Sequence, residues 1–447
     1  MGLFDRLRGR DGPRVALIGI DGVPYQLIAD HPDTFESLHQ LIDAGSGGAI
    51  DSIVPPESSA CWPSLTTGVN PGKTGVYGFQ DREIGSYETY IPTGQDVQAK
   101  RVWDRVHEVE RKATVLNVPV TVPPQRTIQR MVTGFLSTDL RRATHPSELA
   151  EELTELNYRI DVNATLGHEE DKSEFIADAH QTLDARTSAF LEYIGRNDWD
   201  LFVGVYMTTD RINHFLFGDY EQEGEYYEEF MEFYRTLDSH LGRIVESLPE
   251  DVTLLVASDH GFTTLDYEMH CNRWLQDNGW LSYKNDSPEQ LSDIASETSV
   301  YSLIPGRFYV NLRDREPRGS VPPESYEATL TELERALESL TGPHGERVID
   351  WTVRGTEAFF GPHADIAPDL VAIPADGFDL KAGFSGTGPI FDQGPRNGMH
   401  TFDHATLISD DASLTINEAD ILDITPTMLS AMDIDYDDEV FDGASLY

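Results

Sequence analysis

At 447 residues the chain is long enough to bury a sizeable core and to hold more than one domain. Its 78 acidic against 33 basic side chains give a formal net charge of −45, with the acids dispersed rather than gathered in a tail, which excludes the basic face that nucleic-acid binding needs. Cys61 and Cys271 are too few for a disulfide framework or a zinc ribbon, and no apolar run approaches the ~20 residues of a membrane-spanning helix.

Acidity on this scale, with Arg outnumbering Lys, is tolerable where salt screens self-repulsion. It points to a folded surface adapted to high intracellular salt; the bland alternative is an ordinary acidic enzyme. The start, Met1 to Arg8, lacks the apolar stretch of a signal peptide. It reads as a frayed terminus, with a short amphipathic membrane foot as the alternative, and a cytoplasmic location is expected.

Three apolar, β-branched runs each end in an acid: Val15 to Ile20 before Asp21, Leu201 to Tyr206 before Asp210, and Thr253 to Ala257 before Asp259. Continuous runs of this kind suit strands buried on both faces. Helical stretches lie between them, at Pro146 to Leu156, Glu174 to Ile194 and Glu225 to Leu248. The alternation predicts an α/β fold with a doubly wound, mostly parallel sheet sandwiched by helices. Ligands collect at the carboxyl ends of such strands, where all three acids fall.

From about Tyr267 to Gly394 the pattern is mixed. A strand is expected at Arg307 to Leu312, a helix at Glu324 to Leu340 and another strand at Asp369 to Ile373. Residues 267–394 are therefore expected to form an inserted α+β cap on a core made of 1–266 and 395–447. The tail from Ile421 to Leu429 has a helix-start pattern and returns to the core.

Asp210 and His214, at i and i+4, share one face of the helix after a strand. Asp21-Gly22 and Asp259-His260-Gly261 each follow a strand directly, and His400 lies far downstream after Gly394 and Gly398. Singly these pieces are bland: Asp-Gly marks a turn, Asp-His-Gly can cap a helix, and a lone histidine is an ordinary polar residue. Several of them at strand ends in one chain is a stronger signal. Mixed carboxylate and imidazole ligands suit zinc or manganese better than calcium.

The stretch from Pro55-Pro56-Glu57-Ser58 to Thr67-Gly68-Val69-Asn70-Pro71-Gly72-Lys73 resembles the alkaline phosphatase superfamily, in particular its type I phosphodiesterase/nucleotide pyrophosphatase branch. Within that branch it is similar to an archaeal and bacterial group described as phosphohydrolases or phosphomutases. Asn117-Val118-Pro119 with Pro123-Pro124, Thr209-Asp210-Arg211-Ile212-Asn213-His214, Ser258-Asp259-His260-Gly261 and Asp423-Ile424-Thr425-Pro426-Thr427 extend the likeness across most of the chain.

The resemblance implies two divalent ions, zinc or manganese: one held by Asp210, His214 and His400, the other by Asp21, Asp259, His260 and the Ser58 oxygen. It makes Ser58 the nucleophile, with Ser59 as its neighbour; a helix N-cap is the structural alternative for Ser58. A phosphoseryl intermediate follows, hydrolysed by metal-activated water. Phosphodiester or nucleotide pyrophosphate substrates are favoured, with a small-molecule phosphate ester or nucleotide as the ligand; a phosphomonoesterase or phosphomutase is the alternative. Phe79 stands where relatives carry a phosphate-binding Asn, and Lys73, Gln80, Arg82 and Arg211 are substitute candidates.

Cys61-Trp62-Pro63-Ser64 resembles the sulfatase motif, but Leu65 replaces its Arg and Cys61 lies too close to Thr67-Gly68. A non-catalytic binding protein on the same fold is the remaining rival, at odds with the full ligand set.

Overall fold

The computed structural model describes residues 12–447, so the expected foot at Met1 to Arg8 lies outside the described residues. Its centre is an eight-stranded sheet in the order Ser46–Ile50, Ala405–Ser409, Val252–Ala257, Arg14–Ile20, Leu201–Tyr206, Ala113–Val118, Arg130–Thr133, Thr144–His145. The middle strands run parallel and those toward either edge antiparallel.

Two-sided burial explains the unbroken apolar runs. Ala16, Ile18 and Ile20 point into one core and Val15 and Leu17 into the other, as alternation along a strand requires. Each Val, Leu or Ile among them contributes about 1.5–3 kcal/mol by leaving water. Helices Glu36–Ala44, Ser173–Gly195, Thr208–Glu221 and Tyr227–Ser247 cover the first face. Ser58–Thr67, Val102–Glu108 and Ile424–Ala431 cover the second. The architecture is the expected mixed α/β sandwich around a mostly parallel sheet.

One glycine in the first strand sets how closely the Ser58–Thr67 helix approaches. A Cβ on Gly19 would come within 2.4 Å of the Trp62 ring, so only a bare backbone lets the indole lie against the strand. Trp62 is thereby delivered to the end of the sheet, beside Asp21.

After the site, strand Gly261–His270 runs outward and pairs with Gly398–Thr401, placing Phe262 opposite His400. Farther along it pairs with Gly377–Lys381 and Phe391–Asp392. A separate antiparallel sheet, ordered Val300–Leu303, Arg307–Val310, Leu370–Pro374, Ile349–Arg354, carries helix Tyr326–Glu338 and its own apolar core. Buried arginines tie this layer to the 79–82 segment. Arg307 donates to the Asp81 carboxylate and to the Gln80 carbonyl at 2.6 Å, and Arg82 pairs with Glu316.

Candidate metal centre

Four elements converge at the carboxyl end of the sheet. Strand Arg14–Ile20 ends at Asp21, where Gly22 takes φ +65°, a left-handed turn natural to glycine. Strand Val252–Ala257 runs into Asp259 and His260. Asp210 lies in the first turn of helix Thr208–Glu221 with His214 one turn on, and Ser58 opens its own helix. Asp21, Ser58, Asp210, Asp259 and His260 are buried, and His400 joins them from the Gly398–Thr401 strand.

The distances close around two centres that share His260. His400 Nε2 lies 3.1 Å from Asp210 Oδ1 and 3.0 Å from His214 Nε2. His214 Nε2 lies 3.4 Å from the same Asp210 oxygen. On the other side His260 Nε2 is 3.7 Å from Asp21 Oδ1 and 3.5 Å from Asp259 Oδ2. The His260 and His400 rings stack at 3.8 Å, so the two groups form one cluster. Asp210, His260 and His400, and likewise Asp21, Asp259 and His260, offer ligand atoms close enough to hold a metal ion.

All three imidazoles are turned the same way. His214 Nδ1 meets the Gly398 carbonyl at 3.1 Å, His260 Nδ1 the Gly261 carbonyl at 3.0 Å, and His400 Nδ1 the Pro56 carbonyl at 3.1 Å. A carbonyl only accepts, so each Nδ1 is placed to donate and each Nε2 faces the cluster; without a cation, His400 Nε2 spends itself on Asp210, which against burial pulls that imidazole up from its ordinary value. A bond from the ring nitrogen that faces away from the site fixes the orientation of a metal-ligating histidine.

The electrostatics also ask for a cation. Burial, and then the charge of Asp259, push the Asp21 carboxyl well up from its ordinary value. Burial, and then Asp210, raise Asp259 to about 8. Burial lowers His214 to about 3 against the pull of Asp210, and burial with help from His400 also holds His260 well below its ordinary value. Asp210 goes the other way: burial opposes its charge, but His214, His400 and Arg211 outweigh it. Asp259 Oδ2 is buried and, among the described residues, has no hydrogen-bond partner. An orphaned carboxylate oxygen grouped with Asp21 and the His260 ring nitrogen is a donor set that fits a divalent ion.

Ser58 Oγ lies 3.1 Å from His260 Nε2 and donates to Asp21 Oδ1 at 3.3 Å. Glu57 precedes it in extended backbone as the residue before the helix, so the positive end of a ten-residue helix lies at Ser58. Ser59 instead lies beside the Glu57 carboxylate and favours its charged form. Cys61 sits in the apolar core with Sγ 3.3 Å from Ser52 Oγ, which in turn donates to the Asp259 carbonyl at 2.6 Å; the thiol itself makes no bond to a cluster side chain.

The structure brings together Asp21, Ser58, Asp210, His214, Asp259, His260 and His400. Arg211 lies beside them, donating to Asp210 Oδ2 at 3.0 Å and to Asp161 Oδ2 at 2.9 Å. Lys73 pairs with Asp442, Gln80 donates to Thr89 Oγ1 at 2.9 Å, and Arg82 pairs with Glu316; none of the three makes a bond to the cluster. Phe79 stacks with Phe135, ring centres 6.3 Å apart, and lines a cavity of about 190 Å³ that opens on His214 and His400.

Sequence reasoning missed Trp62, whose Nε1 donates to Asp21 Oδ2 at 2.6 Å; its place one helical turn after Ser58 was the available signal. It also missed Glu57, Asp379, Lys381 and Arg396 in the cavity wall. Nothing local marks them, because the last three arrive from strands and loops beyond residue 370.

The family model for type I phosphodiesterase / nucleotide pyrophosphatase matches residues 15–403. Among solved structures, phosphonoacetate hydrolase from Sinorhizobium meliloti 1021 in complex with phosphonoacetate aligns with a TM-score of 0.62 at 14% identity, covering 95% of this chain and 98% of that one. Human ectonucleotide pyrophosphatase / phosphodiesterase 5 aligns with a TM-score of 0.58 at 12% identity, covering 96% and 97%. The murine protein, inactive and in complex with AMP, aligns at 0.57 and 12% identity, covering 95% and 96%. At such identity these structures speak for the fold alone. Comparison with curated proteins finds no match. The family match over most of the length, on a sheet that gathers the acids and histidines at its carboxyl end, places the chain in the type I phosphodiesterase / nucleotide pyrophosphatase family of the alkaline phosphatase superfamily.

Proposed function

We propose that the chain hydrolyses phosphodiester or pyrophosphate bonds in small molecules or nucleotides through a phosphoseryl intermediate on Ser58. The observation that carries this reading is the position of the Ser58 hydroxyl, at a helix start and within 3.3 Å of both His260 and Asp21. Asp210, His214 and His400 would hold one divalent ion and Asp21, Asp259, His260 and Ser58 the other; the ligand types suit zinc, with manganese as the second choice. Such ions, when bound, supply Lewis-acid stabilisation of phosphate oxygens and favour an ionised hydroxyl.

The protein's own groups do the rest. The Ser58 oxygen forms a bond to phosphorus as the bond to the leaving oxygen breaks, and that oxygen departs as an alcohol or phosphate after taking a proton. Water then attacks the same phosphorus, the Ser58 oxygen leaves and regains its proton, and a phosphate monoester or phosphate is released. The positive end of the helix, at Ser58, favours the phosphoryl charge. Trp62 holds Asp21 and Arg211 holds Asp210, which keeps the carboxylates in place during both steps.

In this reading residues 267–394 are a specificity cap on a core of 1–266 and 395–447. The dispersed acidity supports a cytoplasmic enzyme of a high-salt organism; among the described residues no helix is long and apolar enough to cross a membrane.

The test is a substrate panel in molar KCl with zinc or manganese: a bis(nitrophenyl) diester, the nitrophenyl monoester and the sulfate ester. The diester should turn over fastest. Ser58→Ala should lose about 10³-fold or more while keeping its metals, the scale seen when a nucleophile is removed. Wild-type turnover by Ser58→Ala would refute the assignment.

A further inference from the structure

We propose that Lys381 and Arg396 form a subsite for a second anionic group, a carboxylate or a phosphate, carried on the leaving side of the substrate. This inference rests on the phosphohydrolase reading of the neighbouring cluster. Both cations line the cavity that opens on His214 and His400. Asp379 Oδ2 pins the two of them, at 2.7 Å from Lys381 Nζ and 2.6 Å from Arg396 Nη2. Arg396 Nε donates to Glu268 Oε1 at 3.0 Å as well. Neither cation bonds any of the seven cluster side chains.

The pinning fixes the cations without exhausting them. An ammonium has three donors, and Lys381 spends one on Asp379. Among the described residues Arg396 Nη1 has no hydrogen-bond partner, so one amino group remains for a ligand. The spacing from the cluster is fixed too, because the Asn397 N–H donates to the His214 carbonyl at 3.0 Å and anchors this segment to the ligand-bearing helix. Pro55, Ile304, Pro305 and Leu380 supply an apolar wall around these charges. A neutral leaving group would desolvate both cations and return nothing, whereas an anion gains charge-assisted bonds in a water-poor setting.

At about 190 Å³ the cavity lies below the ~300–1,000 Å³ of pockets for drug-sized ligands, which favours a compact leaving group. Asp379 and Glu268 balance the charge of the two cations, so what the site offers an anion is their remaining N–H donors, held in place by those carboxylates.

Three diesters sharing one leaving ring test this: methyl phenyl phosphate and its 3-carboxy and 3-phosphonooxy analogues, followed by phenol release. At least one charged ester should exceed the parent in kcat/KM by about tenfold or more, the scale of one charge-assisted bond. Which of the two gains identifies carboxylate or phosphate. Lys381→Gln and Arg396→Gln should each cut the ratio of charged to neutral ester several-fold. Equal use of all three esters, or an unchanged ratio in both variants, would overturn the subsite. Should no ester turn over, the phosphohydrolase reading fails by itself, and calorimetric binding of phenylphosphonate and 3-carboxyphenylphosphonate decides the subsite. Tighter binding of the carboxylate, lost in Lys381→Gln, supports it; equal affinities refute it.

Discussion

Replacing Trp62 by Phe probes whether the cluster is held for cation binding or is merely a buried polar knot. The indole Nε1 donates to Asp21 Oδ2 at 2.6 Å, and both side chains are fully buried. Phe keeps a ring against Gly19 and removes the donor, leaving a carboxylate oxygen with no replacement from solvent. A hydrogen bond to a charged group is worth about 1.5–3 kcal/mol. Loss of an outer-shell partner costs metal affinity about 10–100-fold, which is about 1.4–2.8 kcal/mol. The two routes agree, so Trp62→Phe should weaken zinc binding by about one to two orders of magnitude, read by competition with a chromophoric chelator. Lost packing is separated by Leu65→Ala, on the same helix and fully buried. That variant should lose about 2–5 kcal/mol of stability with little change in zinc affinity. Unchanged affinity in Trp62→Phe, or an equal loss in Leu65→Ala, would refute the reasoning.

Arg211 joins Asp161 to the outer oxygen of Asp210, so Arg211→Met should also lower zinc affinity about tenfold or more, in the same competition assay. In the metal-free protein burial holds the Asp259 proton up to about 8, against an ordinary unfolded value near 4. The folded state then binds that proton more tightly than the unfolded one, so stability contributed here is complete below pH ~4 and declines toward pH ~8. Urea unfolding at stepped pH should show this decline, and added zinc should abolish it, since the ion takes the proton's place. With a net charge of −45, midpoints of thermal unfolding should rise steeply with KCl up to molar concentrations; a flat response would count against the high-salt reading.

Much of the sheet was readable because burial on both faces leaves a direct trace in composition. Strands expected from Val15, Leu201 and Thr253 begin at Arg14, Leu201 and Val252 and end where expected. Helix ends moved more: the stretch from Pro146 starts at Leu149 and that from Glu324 at Tyr326, since apolar period says little about the first turn. Acids at strand ends placed Asp21, Asp210 and Asp259, and helical period placed His214. His400 had no such signal. It arrives on a strand registered against Phe262, and only the family resemblance tied it to the others.

Side chains near Ser58 in the sequence were harder to place. After Gly75 the chain turns toward the second antiparallel sheet, where Asp81 and Arg82 meet Arg307 and Glu316, while the Gln80 side chain stays on nearby Thr89. The cavity wall formed by Lys381 and Arg396 depends on how strand Gly377–Lys381 and the segment before Gly398 lie against the ligand-bearing helix, a tertiary fact with no local pattern. Lys73 and Arg82 spend their charges on Asp442 and Glu316, hundreds of residues away, and a linear reading sees only the donor.

Anomalous diffraction at the zinc edge from crystals grown with zinc tests the central claim most directly. Two peaks should stand in the cluster, one among Asp210, His214 and His400 and the other among Asp21, Asp259, His260 and Ser58. An empty cluster, or zinc bound only elsewhere on the acidic surface, would contradict it.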